Sequence, residues 1–182
     1  MSVTTMFYYK IDFVDVDDKV KTAEYLRQII VRLKDAGISL DEKANYDAIS
    51  QSSFFADDDI YYGEIVADDF YMYLGRRYWE VHLAFRYWNL FVINENGEMR
   101  LRNLAYQLSQ VFGVEEVWYS NDHSCQDDYY SFDDWYEKMS RSYGFPKSFS
   151  RQIAMSVEDI FSKKTTPDYC NFYHDTFKDI YK

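Results

Sequence analysis

Rings and carboxylates are interleaved along two stretches of this chain that contain no lysine or arginine. The first lies between Lys43 and Arg76, where Asp47, Asp57, Asp58, Asp59, Glu64, Asp68 and Asp69 alternate with Phe54, Phe55, Tyr61, Tyr62, Phe70, Tyr71 and Tyr73. The second lies between Arg102 and Lys138. There Glu115, Glu116, Asp122, Asp127, Asp128, Asp133, Asp134 and Glu137 share the sequence with Trp118, Tyr119, Tyr129, Tyr130, Phe132, Trp135 and Tyr136. A disordered acidic tail is poor in aromatic residues, because without apolar surface to bury nothing offsets the entropy lost on ordering. Here aromatic residues make up 20% of the chain and apolar residues 47%. The sequence therefore demands a folded core beneath an acidic surface. The basic residues collect elsewhere, chiefly from Lys19 to Lys43 and after Lys138, which polarises the molecule.

A chain of 182 residues is long enough to bury one substantial core. Six glycines and two prolines, with no Ser/Gly-rich or Pro-rich stretch between the halves, leave no visible linker, so the expectation is a single domain over 1–182. Met1 to Lys10 lacks the basic start, apolar run and small-residue cleavage site of an export signal, which predicts a cytoplasmic protein. Two cysteines, Cys125 and Cys170, are too few for a disulfide framework and are expected as free thiols. A formal net charge of −11 would be repelled by a phosphate backbone or an anionic lipid surface, so direct nucleic-acid or membrane binding is not expected. Basic partners are favoured.

The local patterns predict an α+β fold, a small, mostly antiparallel sheet with helices packed against it and a helical C-terminal third. Met6 to Val16 alternates, with Phe7, Tyr9, Ile11 and Phe13 on one side and Tyr8, Lys10 and Asp12 on the other, the period of a half-buried strand. Asp17 or Asp18 then caps a helix carrying Val20, Ala23, Leu26, Ile29, Ile30 and Leu33 and ending at Gly37. A short helix is expected over Asp41 to Ser50. Phe70 to Leu74, Tyr78 to Phe85 and Tyr87 to Ile93 read as a meander, with turns at Gly75 and at Asn96-Gly97. Leu101, Leu104, Ala105, Leu108, Val111 and Phe112 line one helical face stopped by Gly113, and Val114 to Tyr119 is a further strand. Ser131 with Asp134 approximates a capping box ahead of Trp135 and Met139. Ser148 and Thr166-Pro167 are placed to open two more helices. Phe7, Phe13, Trp79, Phe85, Phe91 and Phe112 fall where the periodicity points inward.

Catalytic signatures are sparse. The isolated glycines form no phosphate-binding loop, no nucleophile elbow is present, and His82, His123 and His174 are the only imidazoles available as bases. His82 lies opposite the face of Trp79, Val81 and Leu83, as a hydrogen-bonded surface histidine would. His123 and Cys125 with Cys170 and His174 offer the two thiolates and two imidazoles of a structural zinc, at spacings unlike a standard finger. Asp12, Asp15, Asp17 and Asp18, or Asp57 to Asp59 with Asp68 and Asp69, have the carboxylates of a hard-cation site, but adjacent aspartates more often cap helices and line solvated loops. The expectation is therefore a non-catalytic protein without a cofactor or resident metal.

Carboxylates at phosphate-like separations pair with the Lys and Arg of a nucleic-acid groove, while rings stack on guanidinium planes or fill apolar pockets at an interface centre. The candidate partner-binding residues are accordingly Asp57, Asp58, Asp59, Asp68, Asp69, Tyr71, Tyr119, Asp122, Asp127, Asp128, Tyr129, Tyr130, Asp133 and Asp134. Tyr61, Tyr62 and Tyr73 share with Tyr71, Tyr119, Tyr129 and Tyr130 an expected partial exposure beside carboxylates.

With its compact size, its lack of catalytic motifs and its stretches Phe54-Phe55-Ala56-Asp57-Asp58-Asp59 and Asp127-Asp128-Tyr129-Tyr130-Ser131-Phe132-Asp133-Asp134-Trp135, the chain resembles small phage-encoded anti-CRISPR proteins that inhibit type II Cas9 effectors. The resemblance implies binding to Cas9, with or without its guide RNA, and interference with target-DNA recognition or cleavage. Such inhibitors are mutually unrelated in fold, so no residue role carries over. Two other readings stand beside it: a metal-dependent nuclease or phosphoesterase using Asp and His ligands, and an immunity or antitoxin-like inhibitor of a basic toxin.

Overall fold

The computed structural model describes residues 5–41, 61–83, 95–121, 131–148 and 172–180. The expected elements over 41–50, 87–93 and 166–167 lie largely or wholly outside that set. The described elements are strand β1 (Thr5–Lys10), helix α1 (Lys19–Asp35), strands β2 (Gly63–Val66), β3 (Phe70–Gly75) and β4 (Tyr78–Leu83), helix α2 (Glu95–Phe112), strand β5 (Val117–Asn121), helix α3 (Phe132–Tyr143), and strands β6 (Lys147–Ser148) and β7 (Tyr173–Asp175). The strands form one sheet in the order β2-β3-β4-β1-β5-β7-β6. Every neighbouring pair is antiparallel except β6 with β7. With helices packed on the sheet, the class is α+β.

The centre of the sheet is β1, paired with β4 on one side and β5 on the other. Phe7 and Tyr9 point to one face, where they join Met72, Leu74, Trp79, Val81, Val117 and Tyr119 under the apolar stripes of α1 and α2. Met6 and Tyr8 point to the opposite face and are buried with Tyr78, Trp118 and the Phe132, Trp135 and Met139 side chains of α3. The Tyr8 and Trp135 rings stack with centroids 3.9 Å apart. The strand is thus buried on both faces, not half-buried as alternation suggests, because a helix layer covers each side. It also ends at Lys10, short of Val16. Lys10 pairs with Tyr78, the first residue of β4, and one more backbone bond, Ile11 N–H to the Arg77 carbonyl at 2.9 Å, reaches the turn back to β3.

Helix α1 is capped by Asp18, whose Oδ1 accepts from the backbone N–H groups of Val20 and Lys21 at 3.0 and 3.1 Å. It closes at Gly37, whose φ of +75° is the left-handed conformation glycine adopts without strain. Leu26, Ile29, Ile30 and Leu33 are buried. Val20 is 79% exposed, since at 100° per residue it lies about 120° around the helix from Leu26. Asp15 and Asp17 pair with Lys21 and Arg76 at 3.0 and 2.9 Å.

The meander begins one strand earlier than its aromatic content indicates. Strand β2 contains Gly63 and Glu64 and few β-formers, and Gly63 is there because Leu26 packs where its Cβ would be, 2.7 Å from Cδ1. Gly75 also acts through space: a Cβ there would stand 2.1 Å from the Tyr78 ring, which folds across it. The left-handed residue of the β3–β4 turn is Arg77, with φ +65°. Helix α2 starts at Glu95, so Asn96-Gly97 lies in its first turn instead of in a hairpin. Gly113, with φ +73°, ends it as expected. Ser131 Oγ accepts from the Asp134 N–H at 3.2 Å to open α3. Trp135 and Met139 are buried.

In the C-terminal third the described residues are helix α3 and strands β6 and β7, and the helices expected after Ser148 and at Thr166-Pro167 fall on residues outside the described set. Ser148 pairs with His174 in the sheet, and Tyr173–Asp175 is a strand. Strand β7 is held in place by a buried ion pair. Arg102 of α2 is fully buried, donating from Nε and Nη2 to Asp175 at 2.7 and 2.9 Å and from Nη2 and Nη1 to Asp179 at 2.6 and 3.0 Å. Asp175 also accepts from the Tyr119 hydroxyl at 3.1 Å and the Phe177 N–H at 2.8 Å. Burial by itself pulls a guanidinium pKa down. The hydrogen bonds and charges of Asp175 and Asp179 outweigh it and hold Arg102 above its ordinary value. Asp175→Asn keeps the shape and removes one charge from a buried cation, so it is expected to cost about 3 kcal/mol of stability, read as a lowered urea-unfolding midpoint.

Candidate functional site

The face of the sheet that carries α3 is apolar over β1 and β5 and polar over β2, β3 and β4. Register sets the polar half as two rows. In one row Val66, Tyr71 and His82 lie side by side, and in the next Glu64, Tyr73 and Glu80 do. Successive residues on one face of a strand are about 6.7 Å apart and neighbouring strands about 4.8 Å apart, so the six positions form a compact grid. The opposite side chains of these strands, Ile65, Phe70, Met72, Leu74, Trp79, Val81 and Leu83, are buried in the main core. That burial is what forces the polar set outward together.

Within the grid the groups are linked. Glu80 is 3% exposed and accepts from the Tyr61 hydroxyl at 2.7 Å through Oε2, while its Oε1 pairs closely with His82 Nε2. The Tyr61 and Tyr73 rings lie 5.0 Å apart, and the Tyr73 ring meets His82 edge-on at 5.1 Å. Tyr73 is hydrogen-bonded to Glu64. Its phenol is pushed up to about 12, first by burial, then by the charge and hydrogen bond of Glu64 and by the charge of Glu80. Tyr71 stands at the edge of this network, 45% exposed. Among the described residues, no Lys or Arg lies within ion-pair distance of Glu64 or Glu80.

The sequence-derived candidates fall into three groups. Asp68 and Asp69 are exposed in the β2–β3 turn, closed by Ala67 N–H donating to the Phe70 carbonyl at 2.9 Å, and this turn leads directly into Tyr71. Asp133 and Asp134 open α3 on the other half of the face. Asp133 pairs with Lys10 at 2.8 Å, and Asp134 lies 4.0 Å from Lys138, so part of their charge is already compensated. Asp57, Asp58, Asp59, Asp122, Asp127, Asp128, Tyr129 and Tyr130 lie outside the described residues, as do His123, Cys125 and Cys170 of the possible zinc set.

Tyr119 is a correction. It is fully buried, edge-on to Phe7 at 5.2 Å, with its hydroxyl on Asp175. Carboxylates adjacent in sequence suggest exposure, but period two puts Tyr119 on the core face with Val117, while its neighbour Trp118 turns to the face of α3. Trp118 stacks on His174 at 4.8 Å, and His174 pairs with Glu116 at 2.8 Å. Tyr61, Tyr62 and Tyr73 are half-buried, as expected.

The sequence reading did not single out Glu64, Glu80 or His82 for the candidate surface. The signal for them lies in β3 and β4, where Tyr71 and Tyr73 alternate with Phe70, Met72 and Leu74, and Glu80 and His82 with Trp79, Val81 and Leu83. Polar and aromatic residues there share one face of a strand pair. Among the described residues no three His, Cys, Asp or Glu side chains gather as metal ligands, and no helix is long and apolar enough to cross a membrane. Comparison with protein-family models, with curated proteins and with solved structures found no match.

The raised phenols have a consequence at alkaline pH. Tyr9 and Tyr119, raised by burial and by the charge of Asp175, join Tyr73 in holding their protons more tightly in the folded state than in the unfolded chain. Unfolded tyrosines ionise near about pH 10, so stability is expected to fall as pH rises from there through about 12. Urea titrations across that range check the loss. In tyrosine ¹³Cζ spectra, Glu64→Gln is expected to lower the Tyr73 midpoint.

Proposed function

We propose that this protein is a non-catalytic acidic binding protein that occupies the basic nucleic-acid-binding surface of an effector, of the kind Cas9 presents, and so blocks target-DNA recognition or cleavage. The observation that carries the reading is the polar half of the sheet with its exposed edge at Asp68, Asp69 and Tyr71. Glu64, Tyr71 and Tyr73 stand beside the exposed Asp68 and Asp69, in a stretch with no basic residue of its own.

A groove that holds nucleic acid is lined by Lys and Arg, and Cas9 keeps its guide–target duplex in such a channel. Carboxylates on a rigid sheet meet those cations with little ordering cost, and tyrosines add stacking area. Opposite net charge accelerates encounter and makes it salt-dependent. The −11 charge of the chain supplies the long-range part. The grid and its turn supply the local part.

The test is stoichiometric binding to purified Cas9, with and without guide RNA, together with target-DNA cleavage. A complex is expected that weakens as salt rises from about 0.05 M to about 0.3 M, and that loses about tenfold or more in affinity when Asp68, Asp69, Asp127 and Asp128 are all changed to Lys. Cleavage is expected to fall in proportion to complex formed. Absence of a complex in either state, or binding indifferent to both salt and charge reversal, would overturn the proposal.

A further inference from the structure

The two halves of the face opposite α1 and α2 are finished differently. Phe132, Trp135 and Met139 of α3, with Phe172, cover Met6, Tyr8, Tyr78 and Trp118. Tyr71 and Tyr73 belong to neither buried cluster of the molecule. What they present, with Glu64 beside them and Glu80 beneath, is a stacking surface rimmed by carboxylates.

The chemistry of that surface is selective. Tyr73 sits between Glu64 and Glu80 in one row of the sheet, and Tyr61 lies against its ring at 5.0 Å. A compact ammonium gains from the charges alone and remains strongly hydrated. A guanidinium gains more: its plane lies on a phenol ring while its fork of N–H donors reaches a carboxylate beside that ring. Among the described residues no Lys or Arg pairs with Glu64 or Glu80. A phosphate or an anionic lipid headgroup would be repelled by the same carboxylates.

We infer that the polar half of this face, formed by the exposed Tyr71 with Glu64 and Tyr73 and with Glu80 and His82 behind them, is a receptor for an arginine side chain presented by a basic protein partner. This rests on the reading that the chain binds a basic protein, and names the side chain it takes. Tyr71 is the outer stacking ring, and Glu64 is the carboxylate that accepts the guanidinium N–H groups. Glu80, held by Tyr61 and His82, supplies charge from below without leaving its own partners.

The experiment is a titration of ¹⁵N-labelled protein with a blocked hexapeptide carrying two arginines, and with its lysine and citrulline counterparts. The arginine peptide is expected to shift amide signals of β2, β3 and β4 around Glu64, Tyr71, Tyr73 and His82. The lysine peptide is expected to bind about tenfold more weakly, and the uncharged citrulline peptide not measurably. Tyr71→Ala and Glu64→Gln are each expected to weaken the arginine peptide about three- to tenfold while the rest of the amide spectrum, and hence the fold, stays unchanged. Equal binding of arginine and lysine, shifts spread over the whole acidic surface, or variants that bind as the parent does would overturn the assignment. So would shifts that appear on raising protein concentration without peptide, which would give the face to a second copy. If the peptide fails while the effector complex forms, the arginine receptor falls and the binding function stands. Peptide binding without an effector complex gives the reverse.

Discussion

Met6, Phe7, Tyr8 and Tyr9 are consecutive and all buried, and a strand hidden on both faces needs a layer on each side. That requirement organises the molecule. On one face α1 and α2 bring Leu26, Leu33, Leu108 and Phe112 over Phe7 and Tyr9, and on the other α3 brings Trp135 over Tyr8. Because α3 is only twelve residues long, about 18 Å of helix, it covers β1 and β5 but not the outer strands of the meander. The polar half of the same face belongs to neither buried apolar cluster, and Tyr71 there is 45% exposed.

Charge is treated differently in the two regions. In the core, Asp175 meets Arg102, and the guanidinium is satisfied by two carboxylates, the tyrosine and the Phe177 N–H completing the set around Asp175. A buried ion is tolerated on those terms. On the polar half of the α3 face, Glu80 is just as deeply placed, but its described partners are a phenol and an imidazole. At the edge of the same face Asp68 and Asp69 are exposed and place negative potential at the surface, which the proposed binding to a cationic groove needs.

Much of the architecture was legible because local chemistry decides it. Asp18 caps α1 and Ser131 opens α3 through hydrogen bonds to residues two or three positions away, and Gly37 and Gly113 end helices through their own φ. Such signals involve no partner from elsewhere in the chain. Where reading failed, a distant neighbour was responsible. Strand β1 stops at Lys10, opposite Tyr78, the first residue of β4. Tyr119 is buried because Phe7 and Asp175 await it.

The sequence by itself determined that there would be an α+β core, where its best-capped helices would start and stop, and that carboxylates would travel with rings. Those follow from composition, periodicity and short-range hydrogen bonding, which a single segment carries within itself. Which rings stay in solvent was decided only in three dimensions. Tyr71 and Tyr119 have similar sequence surroundings, yet one is 45% exposed and the other fully buried, because strand register assigns each to a face and the helices cover those faces unequally. Glu64 and Glu80 flank Tyr73 for the same reason: cross-strand pairing brings together residues that no local pattern connects.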